Sequence, residues 1–416
     1  MIIAVDFEDA KRKLIGKVLM GFRCKSRFGI DIRTNPTLLI VENPEIDGDF
    51  YPDVYTNLYI SRFEKSVEIA SKKLKDKPYT RRVSIPIWMP KDHLSNNPPA
   101  ITEISYLVVN DKLHLTAYIR SLDCYNYFDL NFKFLSYSLN RISKLSGFDS
   151  GTIAMLIGIP HIYERDLEFA RDVAYDCKEV YGYTEYGTHI VEDYISSAWH
   201  TALETVYERG KEKRTEWEEF KGQEKSLFVH RMFIEVKKPD ENKIHDKAPF
   251  TEGYCINYTH EYVIYSGLDK PLKSIAKTDE DYTYAERARC CDVDQLYECV
   301  KKLKSDRFRR DCYVSISRIE DLSRDNPPCL RGYQFMSIGD TFAGVFYMRS
   351  NDVYGAMHAN MYAFALLTKY VAEVTGFNNY KYFHFALDAH VYEESLKFVR
   401  DILYPDSPKF SDFIES

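Results

Sequence analysis

The sequence predicts an α+β chain built as two tandem copies of one unit, and three observations predict it. Identities recur at one fixed separation along the chain, alternating apolar runs are broken by turn pairs, and each half carries one long apolar helix closing on a glycine. Length sets the frame: 416 residues suffice for two domains that each bury a core.

The repeat is the first of these. Lys72-Lys73-Leu74-Lys75 matches Lys301-Lys302-Leu303-Lys304, Arg81 matches Arg310, Asp92 matches Asp321, and Asn97-Pro98-Pro99 matches Asn326-Pro327-Pro328, all 229 positions apart. The same separation relates Arg120-Ser121 to Arg349-Ser350, Asp123 to Asp352, Asn131 to Asn360, His161 to His390, Tyr163 to Tyr392 and Arg171-Asp172 to Arg400-Asp401. With any one residue type at roughly 5% frequency, chance does not give this many identities at one offset. The chain is a tandem duplication, read as residues 1–187 and 188–416.

The elements follow in order within each copy. Asp9 to Leu19 and Ile195 to Arg209 have helical apolar spacing. The runs Pro36 to Pro44 and His230 to Val236 read as strands. Ile101 to Ile119 and Gly332 to Met348 alternate as hairpins that turn at Asn110-Asp111 and Gly339-Asp340, each expected to deliver an arginine at a strand end. Leu130 to Ser146 and Ala359 to Thr375 are long buried helices stopped by Gly147 and Gly376. Each copy is therefore a mixed sheet faced by a buried helix.

Composition excludes several classes. A formal charge of −7 offers no general attraction to nucleic acid, so an anionic ligand must be met by local arginines. No apolar run reaches the roughly 18 residues of a membrane helix, and the first residues lack a signal-peptide plan, so no membrane partner and a cytoplasmic location are expected. The nine cysteines, Cys24, Cys124, Cys177, Cys255, Cys290, Cys291, Cys299, Cys312 and Cys329, have no metal-ligand spacing and read as reduced thiols, mostly small core residues.

Cys329 stands apart, because Arg349, Ser350, Asp352, Asn360, His390 and Tyr392 follow it in order. A thiol, an anion clamp and a carboxamide suit a nucleotide. This ordered set, with His260-Glu261 and Tyr282 to Arg287 upstream, resembles the active-site half of thymidylate synthases, and the chain's length beyond Tyr392 is closest to the shorter, archaeal-type members.

The resemblance implies roles. Cys329 matches the nucleophile that attacks C6 of uracil, which needs a thiolate that a nearby guanidinium favours. Arg349 would supply that charge while binding phosphate, helped by Ser350. Asn360 would read the uracil edge, and an aspartate there would suit cytosine. His390 and Tyr392 resemble the pair that holds the sugar hydroxyl, Glu261 the group that manages protons and water, and Tyr284 part of the ligand wall. Asp352 matches a residue that touches the pterin, and Arg214 is a further phosphate candidate. The carrier implied is 5,10-methylene-tetrahydrofolate or a related methylene-tetrahydropterin.

The family forms two-fold dimers in which an arginine pair crosses to the other subunit's site, so the duplication implies an internal pseudo-two-fold dimer, with further self-association left open. Arg81 and Arg82 would serve the Cys329 site, and Arg309 and Arg310 the first copy's site. That first site has Ala100 where the nucleophile belongs and, between Pro44 and Tyr55, no room for a counterpart of Glu261. It keeps Arg120, Ser121, Asp123, Asn131, His161 and Tyr163, which serve either packing alone or a second nucleotide site. Methylation of dUMP to dTMP is the activity implied. A deoxyuridylate or deoxycytidylate 5-hydroxymethylase and a non-catalytic nucleotide sensor are the alternatives.

Overall fold

The structure is a computed structural model that describes residues 1–46, 53–217, 221–265, 281–289 and 293–405. Cys290, Cys291, part of the Pro44 to Tyr55 segment and the tail from residue 406 lie outside the described residues.

The first copy's helix spans Phe7–Leu19. It starts two residues earlier than the apolar spacing suggests because Asp6 caps it, accepting from the Asp9 amide. The matching helix of the second copy runs Ile195–Arg209, as the spacing predicts. The predicted turns form: Asn110 and Asp111 both have positive φ, 50° and 61°, the left-handed pair that a two-residue hairpin loop requires. The long helices are Phe128–Ser146 and His358–Val374, followed by Gly147 and Gly376 at φ 84° and 83°. One expectation shifts: Arg349 directly follows its strand, whereas Arg120 lies inside Lys112–Asp123.

The strands make two mixed sheets, one of eight strands and one of nine. In the first, Lys112–Asp123 runs parallel to Asp149–Tyr163 and antiparallel to Ile101–Val109. In the second, Thr341–Met348 holds the same place, parallel to Tyr380–Tyr392 and antiparallel to Leu330–Ile338. The antiparallel strands Gly182–Thr184 and Gly187–Glu192 both belong to the second sheet, so that sheet begins just before residue 188.

Each sheet covers its own helices with one apolar cluster, and a third cluster joins the sheets face to face. There Leu38, Tyr118 and Leu156 of the first copy pack with Phe233, Tyr347 and Phe385 of the second, and the Tyr118 and Tyr347 rings stack at 5.8 Å. Polar side chains cross the seam in place: Arg331 donates to Glu103 at 2.9 Å, and Tyr118 donates to Gln334 at 2.8 Å. Arg231, fully buried with φ 55°, reaches across to the Thr116 and Thr152 hydroxyls and the Leu115 carbonyl. This seam fixes which loops of one copy face the other copy's cavity.

Candidate active site

Two cavities lie at matching places, one per copy, and the Cys329 cavity has a volume of about 260 Å³. Cys329 is the half-buried thiol among described cysteines that are otherwise buried. Its loop is pinned by Arg349, which donates through Nε to the Pro328 carbonyl at 3.0 Å and through Nη2 to the Pro327 carbonyl at 2.6 Å. The same Nη2 lies 3.8 Å from the Cys329 sulfur, and Nη1 reaches the Arg81 carbonyl at 2.9 Å. One guanidinium thus ties the thiol loop to the other copy's arginine pair and places a positive charge beside the sulfur.

Arg81 and Arg82 both line this cavity although they belong to the first copy. Arg81 donates to the Tyr392 hydroxyl and lies 3.7 Å from Asp388. Arg82 lies 3.6 Å from Glu216, which also accepts from Thr80 and the Arg81 amide. Burial works against the charge on Glu216, yet Arg81 and Arg82 hold its carboxyl below the usual range, so a carboxylate backs the pair.

The base-reading end rests on a directed relay. Asn360 donates to Tyr258 at 3.0 Å and accepts from Asn351 at 2.9 Å; Asn351 accepts from His384 at 2.8 Å, and His384 meets Tyr382 at 2.6 Å. Burial holds His384 at about 3, so it stays neutral, and the single tautomer that donates from Nε2 orients every amide in the chain. His390 fixes Nδ1 on Asp388 at 2.9 Å and leaves a buried Nε2 without a partner, available to a hydroxyl. Burial, then Arg81, lowers its pKa. Ser350 and Asp352 line the cavity, with Asp352 also accepting from the Tyr354 and Gly355 amides.

Cys329, Arg81, Arg82, Tyr284, Arg349, Ser350, Asp352, Asn360, His390 and Tyr392 are brought together as the sequence suggests. Two are not on this wall. Glu261 sits on the stretch Thr259–Ile264, whose neighbours Tyr258 and Tyr262 turn to the cavity instead, and Arg214 is exposed with its guanidinium over the Tyr79 ring. Asn351, Trp217, Tyr258 and Tyr262 are wall residues that the motif reading missed. The 229-residue separation pairs Asn351 with Leu122, so comparing the copies marks it as a difference rather than a match.

The first copy's cavity, about 320 Å³, repeats the pin: Arg120 donates to the carbonyls of Pro99 at 2.8 Å, Pro98 at 2.7 Å and Arg310 at 2.7 Å. Ser121, Asp123, Asn131, His161 and Tyr163 line it, and Arg310 donates to Tyr163. Arg309 does not serve it as expected. It is held by two hydrogen bonds to Asp311, and Asp311 lines the cavity in its stead. The residue separation shows why, since it aligns Arg82 with Asp311 and Arg309 with Thr80.

Fold and cavities define the class: a duplicated α+β chain in which each copy lends an arginine to the other's site, with a thiol, among the described residues, in one site only. The family model for "Thymidylate synthase" matches residues 60–176 and 198–412, and the chain belongs to that family. Similar proteins are each called "Putative thymidylate synthase". That of Methanopyrus kandleri is 29% identical over 205 residues, 49% of this chain and 91% of its own. That of Methanococcoides burtonii is 25% identical over 212 residues, 50% and 91%, and that of Methanosarcina mazei 26% over 222 residues, 53% and 96%. Each relative therefore corresponds to about half of this chain. Among the described residues no helix is long and apolar enough to cross a membrane, and no cluster of His, Cys, Asp and Glu could hold a metal.

Proposed function

We propose that the Cys329 cavity methylates dUMP at C5 to give dTMP. One observation carries the reading: the thiol lies 3.8 Å from Arg349 in a cavity that also holds Asn360, His390 and the Arg81-Arg82 pair. Arg81 and Arg82 meet the phosphate, with Ser350 beside them. Arg349 acts mainly by holding the Pro327-Pro328-Cys329 loop, because carbonyls already occupy most of its donors. Asn360 takes the uracil edge and His390 the sugar hydroxyl. The Cys329 thiolate adds to C6, and the electron pair of the C5–C6 bond moves toward C5 and the C4 carbonyl, making C5 nucleophilic.

The wall fits a flat pterin. Tyr258 and Tyr262 stack at 5.2 Å beside Trp217, and the Asp352 carboxylate offers a polar handle. A methylene-tetrahydrofolate, or a related methylene-tetrahydropterin, would supply the one-carbon unit and, from its reduced pterin ring, the hydride that takes the methylene to a methyl group. Glu261, next to Tyr262 in sequence, would act on protons through the tyrosine wall rather than by touching the base. Arg214 is assigned no contact. The two copies form the internal counterpart of a family dimer, and the cytoplasm is the setting that suits reduced thiols and nucleotide substrates.

The test uses dUMP tritiated at C5 together with methylene-tetrahydrofolate. Release of tritium to water that is lost in Cys329→Ala supports the reading. Release that survives the substitution contradicts it.

A further inference from the structure

We propose that Lys213 is a positioning residue for the Cys329 site: through Asp388 it keeps His390 neutral, so that the imidazole accepts from the sugar hydroxyl instead of donating to it. The inference rests on the proposed dUMP site and names what sets the sign of its sugar contact. Lys213 lies on the strand Lys211–Arg214, which pairs with Lys225–Val236. Successive side chains of a strand point opposite ways, so Arg214 turns to the Tyr79 ring while Lys213 turns inward over Phe228. The Lys213 side chain is 9% exposed, and its ammonium donates to Asp388 Oδ2 at 2.9 Å. The other carboxylate oxygen meets His390 Nδ1 at 2.9 Å and lies 3.7 Å from Arg81.

Burial opposes the charge on Asp388, yet Lys213, then His390 and Arg81, hold its carboxyl well below the usual range. Nδ1 of His390 faces two acceptors, that carboxylate and the Asp388 carbonyl at 3.4 Å, so it carries the ring's hydrogen. In the neutral ring the buried Nε2, which has no partner, is then an acceptor. Tyr392 takes the opposite role: it accepts from Arg81, which leaves its own hydrogen for the ligand. A donor beside an acceptor fits a hydroxyl. A carboxylate by itself would draw His390 to the imidazolium, whose Nε2 donates. Burial, then Arg81, work against that form, Asp352 works for it, and His230, opposite Asp388 on the paired strand, is kept neutral by burial. Lys213 tips the balance by neutralising the carboxylate from behind.

The first copy shows the arrangement without this pair. Ile159 stands where Asp388 does, His161 Nδ1 rests on the Ile159 carbonyl at 3.1 Å, and Arg310 takes its carboxylate from Asp31, which Arg33 holds by two hydrogen bonds. The thiol site thus sets a carboxylate against its histidine and a lysine behind the carboxylate.

The experiment follows nitrogen-15-labelled histidine rings by NMR in the ligand-free full chain, with His390→Gln to assign the signal. Wild-type His390 should be neutral at pH 7 with its hydrogen on Nδ1. Lys213→Met should raise its titration midpoint by about one pH unit or more, and Lys213→Arg should restore it. Where Lys213→Met does not fold, Lys213→Gln removes the charge and keeps a hydrogen-bond donor, with the same shift expected. In binding between pH 6 and 7, the wild type should prefer dUMP to its 3′-fluoro analogue, which lacks the donor, by about tenfold or more. Loss of the Lys213 charge should cut that preference by about threefold or more, because an imidazolium donates to either sugar. A wild-type His390 that is charged at pH 7, a midpoint that does not move, or an unchanged preference overturns the proposal. If dUMP binds nowhere, the proposed function falls, while the ligand-free midpoint still decides the role of Lys213.

Discussion

Replacing Asn351 with leucine, the residue the first copy carries at the matching position 122, should damage both stability and base choice. Asn351 is 2% exposed and joins His384 at 2.8 Å to Asn360 at 2.9 Å. Leucine leaves two buried polar atoms unpaired, His384 Nε2 and Asn360 Oδ1, at about 1–3 kcal/mol each. Allowing for apolar burial by the new side chain, the loss should be about 2–4 kcal/mol, read as a fall of roughly 2–5 °C in the Tm of a 416-residue chain. The effect on recognition is separate. With one anchor gone, the Asn360 amide can turn over at a cost lower by about 1.4 kcal/mol, so the preference for dUMP over dCMP should shrink about tenfold. Differential scanning calorimetry gives the first quantity and the ratio of Kd values for the two nucleotides gives the second. A lower Tm with an unchanged ratio would refute the relay as an orienting device and leave it a packing feature.

Other outcomes follow from the same geometry. Arg81→Ala should weaken dUMP binding about 10–100-fold, the worth of one charge-assisted contact, while Arg310→Ala leaves it within threefold; equal effects in titration would contradict the cross-copy assignment. Asn360→Asp should move preference toward dCMP, measured by competition binding, and a retained preference for dUMP would count against Asn360 as the base reader. Stability should fall as pH drops below about 6.5. Burial holds His93 and His358 at about 4 and His114 and His384 at about 3, so the unfolded chain takes up their protons first. Each contributes up to about 1.4 kcal/mol per pH unit between 6.5 and its folded value, and a urea midpoint at pH 5.5 no lower than at pH 7 would exclude this.

Much of the fold was legible because its signals are local. Asn110-Asp111 can turn a hairpin in few ways, and Gly147 and Gly376 stop helices wherever the chain takes a left-handed residue. The ordered residues from Cys329 to Tyr392 converge because their strands and helix are those the repeat and periodicity mark. The remainder depends on what the chain does in three dimensions. Tyr258 and Tyr262 face the cavity while Glu261 between them does not, since a helical stretch turns neighbours to different sides. Arg309 resembles half of an arginine pair, yet register puts Asp311 at the cavity and gives Arg309 the task of neutralising it. His384 and Tyr382 act only through Asn351, a relay that no spacing along a single strand reveals.

The most direct test of the central claim is mass spectrometry of dUMP after incubation with the protein and a methylene-loaded tetrahydropterin, beside Cys329→Ala. The account expects dTMP from the wild type and unchanged dUMP from the variant. A hydroxymethyl product would place the enzyme in the alternative hydroxymethylase class. Unaltered dUMP from a wild-type protein that still binds it tightly would contradict the catalytic reading outright.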